Sequence, residues 1–158
     1  MRTETPGAVL EREHREIDSG IEAYIAASAA EGQQRESLVQ ALDSLSRHIY
    51  IEEEFLFPAL YEAGLGPPVF VMLREHGELW HAMGAIEALL GDGGEPEAIS
   101  AACRGLLGLL GQHNSKEESI IYPSAETVLS REASAELSRL IVAGRIPPDW
   151  VCRAVRSR

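Results

Sequence analysis

The chain has 158 residues, 45% of them hydrophobic and 25% charged, which is typical of one globular domain with a proper core. Its 14 basic and 25 acidic residues give a net charge of −11, which argues against a nucleic-acid partner because phosphate binding requires clustered Lys and Arg. There is no apolar leader, no membrane-spanning run and no cysteine motif, so we predict a cytoplasmic protein whose Cys103 and Cys152 are ordinary buried or half-buried thiols.

Helical periodicity dominates the sequence, and strand signals are weak throughout. A first helix is predicted at about residues 8–29, and the polar residues 31–34 interrupt it. A second helix is predicted at about residues 35–62, and Gly64 is expected to end it. The apolar stripe of the first helix comprises Leu10, His14, Ile17, Ile21, Ile25 and Ser28.

Two further long helices follow in the same way. The third is predicted to begin at Pro67 or Pro68 and to continue to about Leu90, and the Gly-rich residues 91–96 form a loop. The fourth is predicted at about residues 97–129. The stripe of the third comprises Val69, Leu73, His76, Trp80 and Met83, and that of the fourth Leu106, Leu110, His113, Glu117 and Ile120.

A shorter fifth helix is predicted at about residues 131–143, followed by a tail that is expected to dock through Trp150. Short connections between long helices make consecutive helices antiparallel neighbours. The predicted fold is therefore all-α, an up-down antiparallel four-helix bundle with its core at residues 8–129. The short C-terminal helix and tail occupy residues 131–158 of a single domain over residues 1–158.

A sequence pattern occurs twice, once on each of two helices. Residues 48–58 and residues 113–123 both read H-x3-E-E-x3-[F/Y]-P. The His and the first Glu of each copy lie about 40° apart around the helix axis, and thus on one face. The second Glu of each copy, Glu53 or Glu118, is turned by ~100° and is expected in solvent. The proline that ends each copy, Pro58 or Pro123, predicts a local bend.

Each of the four long helices thus aims an imidazole at the shared interior, and two of them add a carboxylate. Counted from the predicted loops, at ~1.5 Å per residue, the six residues lie within about 3 to 5 Å of one level. Burying two unpaired carboxylates costs several kcal/mol each, so a positive charge is expected among them. Any single member could be a hydrogen-bonded core residue, but the set favours a metal site: His14, His48, Glu52, His76, His113 and Glu117.

Four imidazoles and two carboxylates suit iron, manganese or zinc and provide no thiolate for copper(I) or an iron–sulfur cluster. Helix bundles hold two-metal sites with inward Glu and His ligands, and this set is a variation on that plan. If Glu52 and Glu117 bridge two ions, each ion receives about two imidazoles and keeps open positions for water, oxygen, peroxide or nitric oxide.

These residues resemble the hemerythrin family in its HHE cation-binding form, over about residues 8–129. The spaced set is His14, then His48-x3-Glu52, then His76, then His113-x3-Glu117. The resemblance implies a non-haem centre of two iron ions, with the four histidines as terminal ligands and the two glutamates as bridging carboxylates.

The chain departs from the oxygen-carrying members of that family at two positions. They have H-x3-H on the third helix, where Trp80 follows His76 here, and H-x4-D on the fourth, where His113-x3-Glu117 stands. The missing imidazole argues against reversible oxygen carriage. His81 lies ~140° around the helix from His76, so it is expected at the surface or behind a ligand unless a π-bulge turns it inward.

Two functions from different classes follow from such a centre. The first is a di-iron protein that binds, senses or reacts with oxygen, peroxide or nitric oxide, with peroxide breakdown as an activity to test. The alternative is an iron store or sensor without catalysis, whose folding depends on metal occupancy. No substrate and no oligomeric state can be read from the sequence.

Overall fold

The computed structural model describes residues 4–27 and 32–156, and most of these are helical, with no strand among them. The predicted all-α class is therefore confirmed for the described part of the chain. The helices are α1 (Pro6–Ala27), α2 (Gly32–Ile51), α3 (Phe57–Glu62), α4 (Gly66–Gly91), α5 (Pro96–Lys116), α6 (Tyr122–Val128), α7 (Arg131–Ala143) and α8 (Arg153–Arg156). Two π-helical segments join them, π1 (Glu52–Leu56) between α2 and α3 and π2 (Glu117–Ile121) between α5 and α6.

Most predicted boundaries lie within a few residues of those observed, and the bounds of α7 are those predicted. Ser28 of the first stripe and Glu31 of the predicted interruption lie outside the described residues. The second helix begins at Gly32, three residues before its predicted start. Gly64 and Gly93, with φ of 95° and 69°, follow α3 and α4 in a left-handed conformation that glycine adopts without a steric penalty.

The two π-helical segments correct the predicted stripes. A π turn holds one residue more than an α turn, so every later apolar position moves along by one. The fourth stripe was predicted to continue at Ile120, which is 48% exposed, whereas Ile121 is buried. At the end of π1 Leu56 is fully buried, whereas Phe55, which continues the apolar spacing of Ala41 and Leu45, is only half-buried. Pro58 and Pro123, which predicted bends, stand just after these π turns, where a missing N–H coincides with the change of hydrogen-bond register.

Two apolar clusters fill the interior, and the histidines lie between them. One cluster includes Ile21, Leu45 and Met83, and the other includes Leu10 and Met72. Helix α1 packs against α2 and α5, α4 packs against α5, and α7 lies against α1. The polar residues of the interior are therefore enclosed by hydrophobic layers at both ends, which excludes water from their surroundings.

The C-terminal segment docks on the outside of the bundle, as predicted, through Trp150. Its indole lies edge-on to Tyr50 and Trp80, with ring centroids 5.3 and 5.5 Å apart, and donates a hydrogen bond of 3.2 Å to Glu54. Cys152 is buried beside it, and so is Cys103 on α5. Among the described residues, no helix has the length and apolar character needed to cross a membrane.

Candidate metal centre

The structure brings the six predicted inward residues together at the middle of the bundle. All six side chains are buried, and Glu52, His76 and Glu117 have no exposed surface. Their donor atoms form two sets of four, within each of which all atoms lie less than 4.8 Å apart. The two sets share both carboxylates: His14, His48, Glu52 and Glu117 form one, and Glu52, His76, His113 and Glu117 form the other.

Each carboxylate extends from one pair of imidazoles to the other. Oε2 of Glu52 lies 3.3 Å from Nε2 of His48, and its Oε1 lies 3.1 Å from Nε2 of His76. Oε1 of Glu117 lies 3.1 Å from Nε2 of His14, and its Oε2 lies 3.2 Å from Nε2 of His113. Both glutamates thus present one oxygen to each half of the centre.

An outer ring of four carboxylates holds the imidazoles from behind. Each histidine donates a hydrogen bond from Nδ1 to one of them, over distances of 2.7 to 2.9 Å. A carboxylate only accepts, so Nδ1 carries the proton and the lone pair of each neutral ring is on Nε2, which faces inward. The pairs are His14 with Glu118, His48 with Glu13, His76 with Glu53, and His113 with Glu75.

The arrangement of these donors fits cations. Nε2 of His14 and Nε2 of His48 lie only 3.1 Å apart, with both Nδ1 atoms already used as donors. Oε2 of Glu117 is fully buried and has no hydrogen-bond partner among the described residues. Lone pairs and carboxylate charge gathered at this density are costly unless a positive charge lies between them. The nitrogen and oxygen donors are of the kind that iron, manganese and zinc accept.

The expectation that Glu53 and Glu118 lie in solvent was wrong. Glu53 is 7% exposed and binds His76, and Glu118, with a side chain 34% exposed, binds His14. The π turns are the reason. The wider turn directs two consecutive glutamates towards the interior, where the first lies beside the inward Nε2 atoms and the second bonds an Nδ1 atom from outside.

The remaining outer carboxylates had a signal in the sequence. Arg-Glu-His occurs at residues 12–14 and again at residues 74–76, so Glu13 and Glu75 each stand immediately before an inward histidine. Each one bonds the histidine of the following helix rather than its own neighbour. Together with the H-x3-E-E repeat, this pair shows that the centre is built from two copies of one plan.

Tyr122 is the inner residue that the sequence analysis missed. Its hydroxyl donates a hydrogen bond of 2.6 Å to Oε2 of Glu52, and it lies 3.1 Å from both Oε1 of Glu117 and Nε2 of His14. It occupies the [F/Y] position of the repeat, where the other copy has Phe57. That variable position was the signal, since an aromatic residue with a hydroxyl in only one copy changes the chemistry of one half.

The electrostatics of the cluster favour the protonated forms of His48, His76 and Tyr122. Burial alone lowers the pKa of an imidazole, but the carboxylates of Glu52 and Glu13 outweigh it and raise the pKa of His48 to about 10. The pKa of His76 is raised well above its usual value against the same effect of burial, by the adjacent carboxylates of Glu117, Glu52 and Glu53. Burial and the two inner carboxylates raise the pKa of the Tyr122 phenol well above its usual range. Protons and metal ions therefore compete for the same nitrogens.

His81 and Trp80 lie apart from this cluster. His81 is exposed on a regular α-helical stretch of α4, so the π-bulge that would have turned it inward is absent there. Trp80, at the position where oxygen carriers have an imidazole, faces the C-terminal segment and packs on Trp150.

Comparison with known proteins agrees with this geometry. Residues 5–125 match the family described as the hemerythrin HHE cation-binding domain. No curated protein and no solved structure matched the chain. The match covers most of the sequence and all six inward residues, and the buried His/Glu cluster supplies the donors that such a domain requires. The chain belongs to the hemerythrin HHE cation-binding family.

Proposed function

We propose that the cluster holds two iron ions and that the protein reacts with, or senses, oxygen, peroxide or nitric oxide. The observation that carries the proposal is the inward orientation of four Nε2 atoms around two shared carboxylates, with every Nδ1 already bonded to an outer carboxylate. In this assignment His14 and His48 would hold one ion and His76 and His113 the other, and Glu52 and Glu117 would each offer an oxygen to both.

The order of the long helices in this proposal is up-down and antiparallel. Along α1 and α4, a member of one apolar cluster precedes the histidine and a member of the other follows it, as Leu10 and Ile17 do around His14. Along α5 the order is reversed, since Leu110 precedes His113 and Ile121 follows Glu117. The opposite order of the two clusters along α5 supports an antiparallel arrangement of α5 with α1 and α4.

Iron ions held here would supply one-electron redox chemistry toward small oxygen and nitrogen species. The residues of the chain bind the ions and set their surroundings. The outer carboxylates fix the tautomer and orientation of each imidazole, and the apolar clusters on both sides limit the entry of water. Tyr122 donates its O–H to Glu52 and lies within hydrogen-bond distance of Glu117, so it is positioned to orient both carboxylates.

The first experiment is elemental analysis of protein reconstituted with Fe²⁺ without oxygen, followed by absorption spectra before and after hydrogen peroxide. We expect two iron ions per chain, a spectral change on oxidation, and continued loss of peroxide over many turnovers. Spectral change without turnover would instead favour the sensor or store. A chain that binds no iron would contradict the proposal in all its forms.

Variants identify the ligands in the same experiment. His113→Ala and Glu52→Ala each remove an inward donor and should prevent the binding of two ions. The matched control is Glu126→Gln, an exposed position on α6, which should bind iron as the unaltered chain does.

A further inference from the structure

The C-terminal segment, residues 150–156, contacts the metal centre through a backbone hydrogen bond. The backbone N–H of Arg153 donates to Oε1 of Glu53 over 2.8 Å, and Oε2 of Glu53 accepts the Nδ1–H of His76 over 2.7 Å. Arg153 is the first residue of α8, so its N–H has no partner within that helix and is available to the carboxylate. The chain of contacts therefore runs from a backbone amide through Glu53 to an inner imidazole.

The segment is held in place independently of this hydrogen bond. Trp150 packs against Trp80 and Tyr50, and Cys152 is fully buried among the core residues. Ala154 lies so close to α4 that a Cβ atom on Gly77 would approach its Cβ to 2.8 Å. The absence of a side chain at Gly77, the residue after His76, is what lets the segment reach Glu53.

Comparison of the four outer carboxylates shows that the hydrogen bond from Arg153 to Glu53 makes the two halves of the centre unequal. Glu13 has Arg47 as a second partner at 3.6 Å, and Glu75 has Lys116 as a second partner. Glu118, the counterpart of Glu53 in the repeat, has no second partner among the described residues, and its side chain is 34% exposed. The side chain of Glu53 is only 2% exposed.

We propose that the C-terminal segment is a positioning device for one half of the centre. By fixing Glu53, it holds His76 in its binding orientation, so the set containing His76 and His113 takes its ion more tightly than the set containing His14 and His48. This inference rests on the proposed two-ion site. Arg153 and Glu53 are positioning residues, because they act on the ion through His76.

The sharpest test removes the amide alone. Arg153→Pro deletes the N–H at the first position of a helix, where proline is well accommodated, and Arg153→Ala removes the side chain but keeps the N–H. Stepwise Fe²⁺ binding is measured in both variants without oxygen, by competition with a chelator. Relative to the alanine variant, we expect the tighter binding step of the proline variant to weaken by about tenfold, the lower end of the loss seen when a ligand's own outer partner is removed, because the amide acts through Glu53.

A second pair of variants moves the segment without altering its amide. Gly77→Ala should push Ala154 away and weaken the same step, and the double variant Gly77→Ala with Ala154→Gly should restore it. Gly84→Ala, on the same helix with open space around its Cβ position, is the matched control and should bind iron normally. Rescue by the double variant would not be expected of a helix that was merely destabilised.

The outcomes separate this inference from the proposed function. Equal Fe²⁺ affinities in the proline and alanine variants, with two ions still bound, would overturn the positioning role and leave the two-ion site intact. Failure of the unaltered chain to bind two ions would overturn both. If Arg153→Pro does not fold, the Gly77 and Ala154 variants decide alone, and a Gly77→Ala protein with unweakened binding overturns the inference.

Discussion

The two halves of the centre follow one plan and differ at two points. In each half a pair of histidines faces inward, and an outer glutamate bonds each histidine from behind. The half built on α1 and α2 contains the Tyr122 hydroxyl, and its outer Glu118 reaches the surface. In the other half Phe57 stacks on His76 at 5.4 Å, and Glu53 is sealed by the C-terminal segment.

We expect the residues common to both halves to bind ions, and the features that differ between the halves to control reactivity. The repeated residues supply the donors of the two proposed ion sites, and they are the same in both halves. The features that differ, Tyr122 against Phe57 and the exposure of Glu118 against that of Glu53, control polarity and solvent contact instead. We therefore expect changes to shared residues to abolish binding, and changes to differing residues to alter one half only.

The largest effect is expected from a residue that both halves use. Glu117→Ala removes an oxygen from each set of donors at once, so both ions should be lost rather than one. Iron content after reconstitution measures this directly. Retention of a full equivalent of iron by this variant would mean that the halves bind independently of the shared carboxylate.

The next largest effect is expected on the Tm of the metal-free protein as the pH changes. The pKa of His48 is about 10 in the folded chain against 6.5 for an ordinary histidine, so its protonation stabilises the fold fully below pH 6.5 and this contribution is lost as the pH rises to about 10. The pKa of Glu117 is lowered, so its contribution to the stability of the fold is lost at acidic pH, when the carboxylate is protonated. We expect the Tm of the metal-free protein to fall between pH 6.5 and 10.

The control for this prediction is the iron-loaded protein. There the imidazole nitrogens are occupied by metal rather than by protons, so the fall in Tm over the same range should be smaller. Identical pH profiles with and without iron would show that the inward histidines do not hold the ions.

A smaller effect is expected when the two halves are made alike. Tyr122→Phe removes the 2.6 Å hydrogen bond to Glu52 and leaves the ring that stacks on His14. The free energy of unfolding of the metal-free protein should fall by about 2 kcal/mol, the typical value of a hydrogen bond to a charged group. Urea denaturation measures the change, and the variant should still bind two ions. Loss of an ion would instead make the hydroxyl a ligand.

The smallest effect is expected on Fe²⁺ affinity when an outer glutamate of the repeat, Glu118 or Glu53, is replaced. Glu118→Gln alters a half-exposed residue, and water can partly replace the lost charge, so Fe²⁺ affinity should fall by less than about tenfold. Glu53→Gln alters the sealed counterpart and should cost more in the same chelator competition. A larger loss in the Glu118 variant would reverse the proposed inequality of the halves.

The sequence alone predicted the helices and the inward residues because both follow from the regular spacing of residues along a helix. Apolar spacing placed α7 at its observed bounds, and the repeated H-x3-E fixed four of the six inward residues. Those predictions require only that the helix be regular. They held as far as the first glutamate of each repeat.

What the sequence did not predict begins where the helix stops being regular. The π turns shift the later stripe by one residue, so Ile121 is buried in place of Ile120, and they turn Glu53 and Glu118 towards the histidines. Neither Tyr122 in the centre nor Arg153 behind Glu53 follows from periodicity, since both depend on contacts between distant segments.

The central claim is most directly tested by anomalous diffraction at the iron absorption edge from crystals of the iron-loaded protein. The account predicts two peaks inside the bundle, one beside His14 and His48 and the other beside His76 and His113, both in contact with Glu52 and Glu117. A single peak, or peaks away from these six side chains, would contradict it.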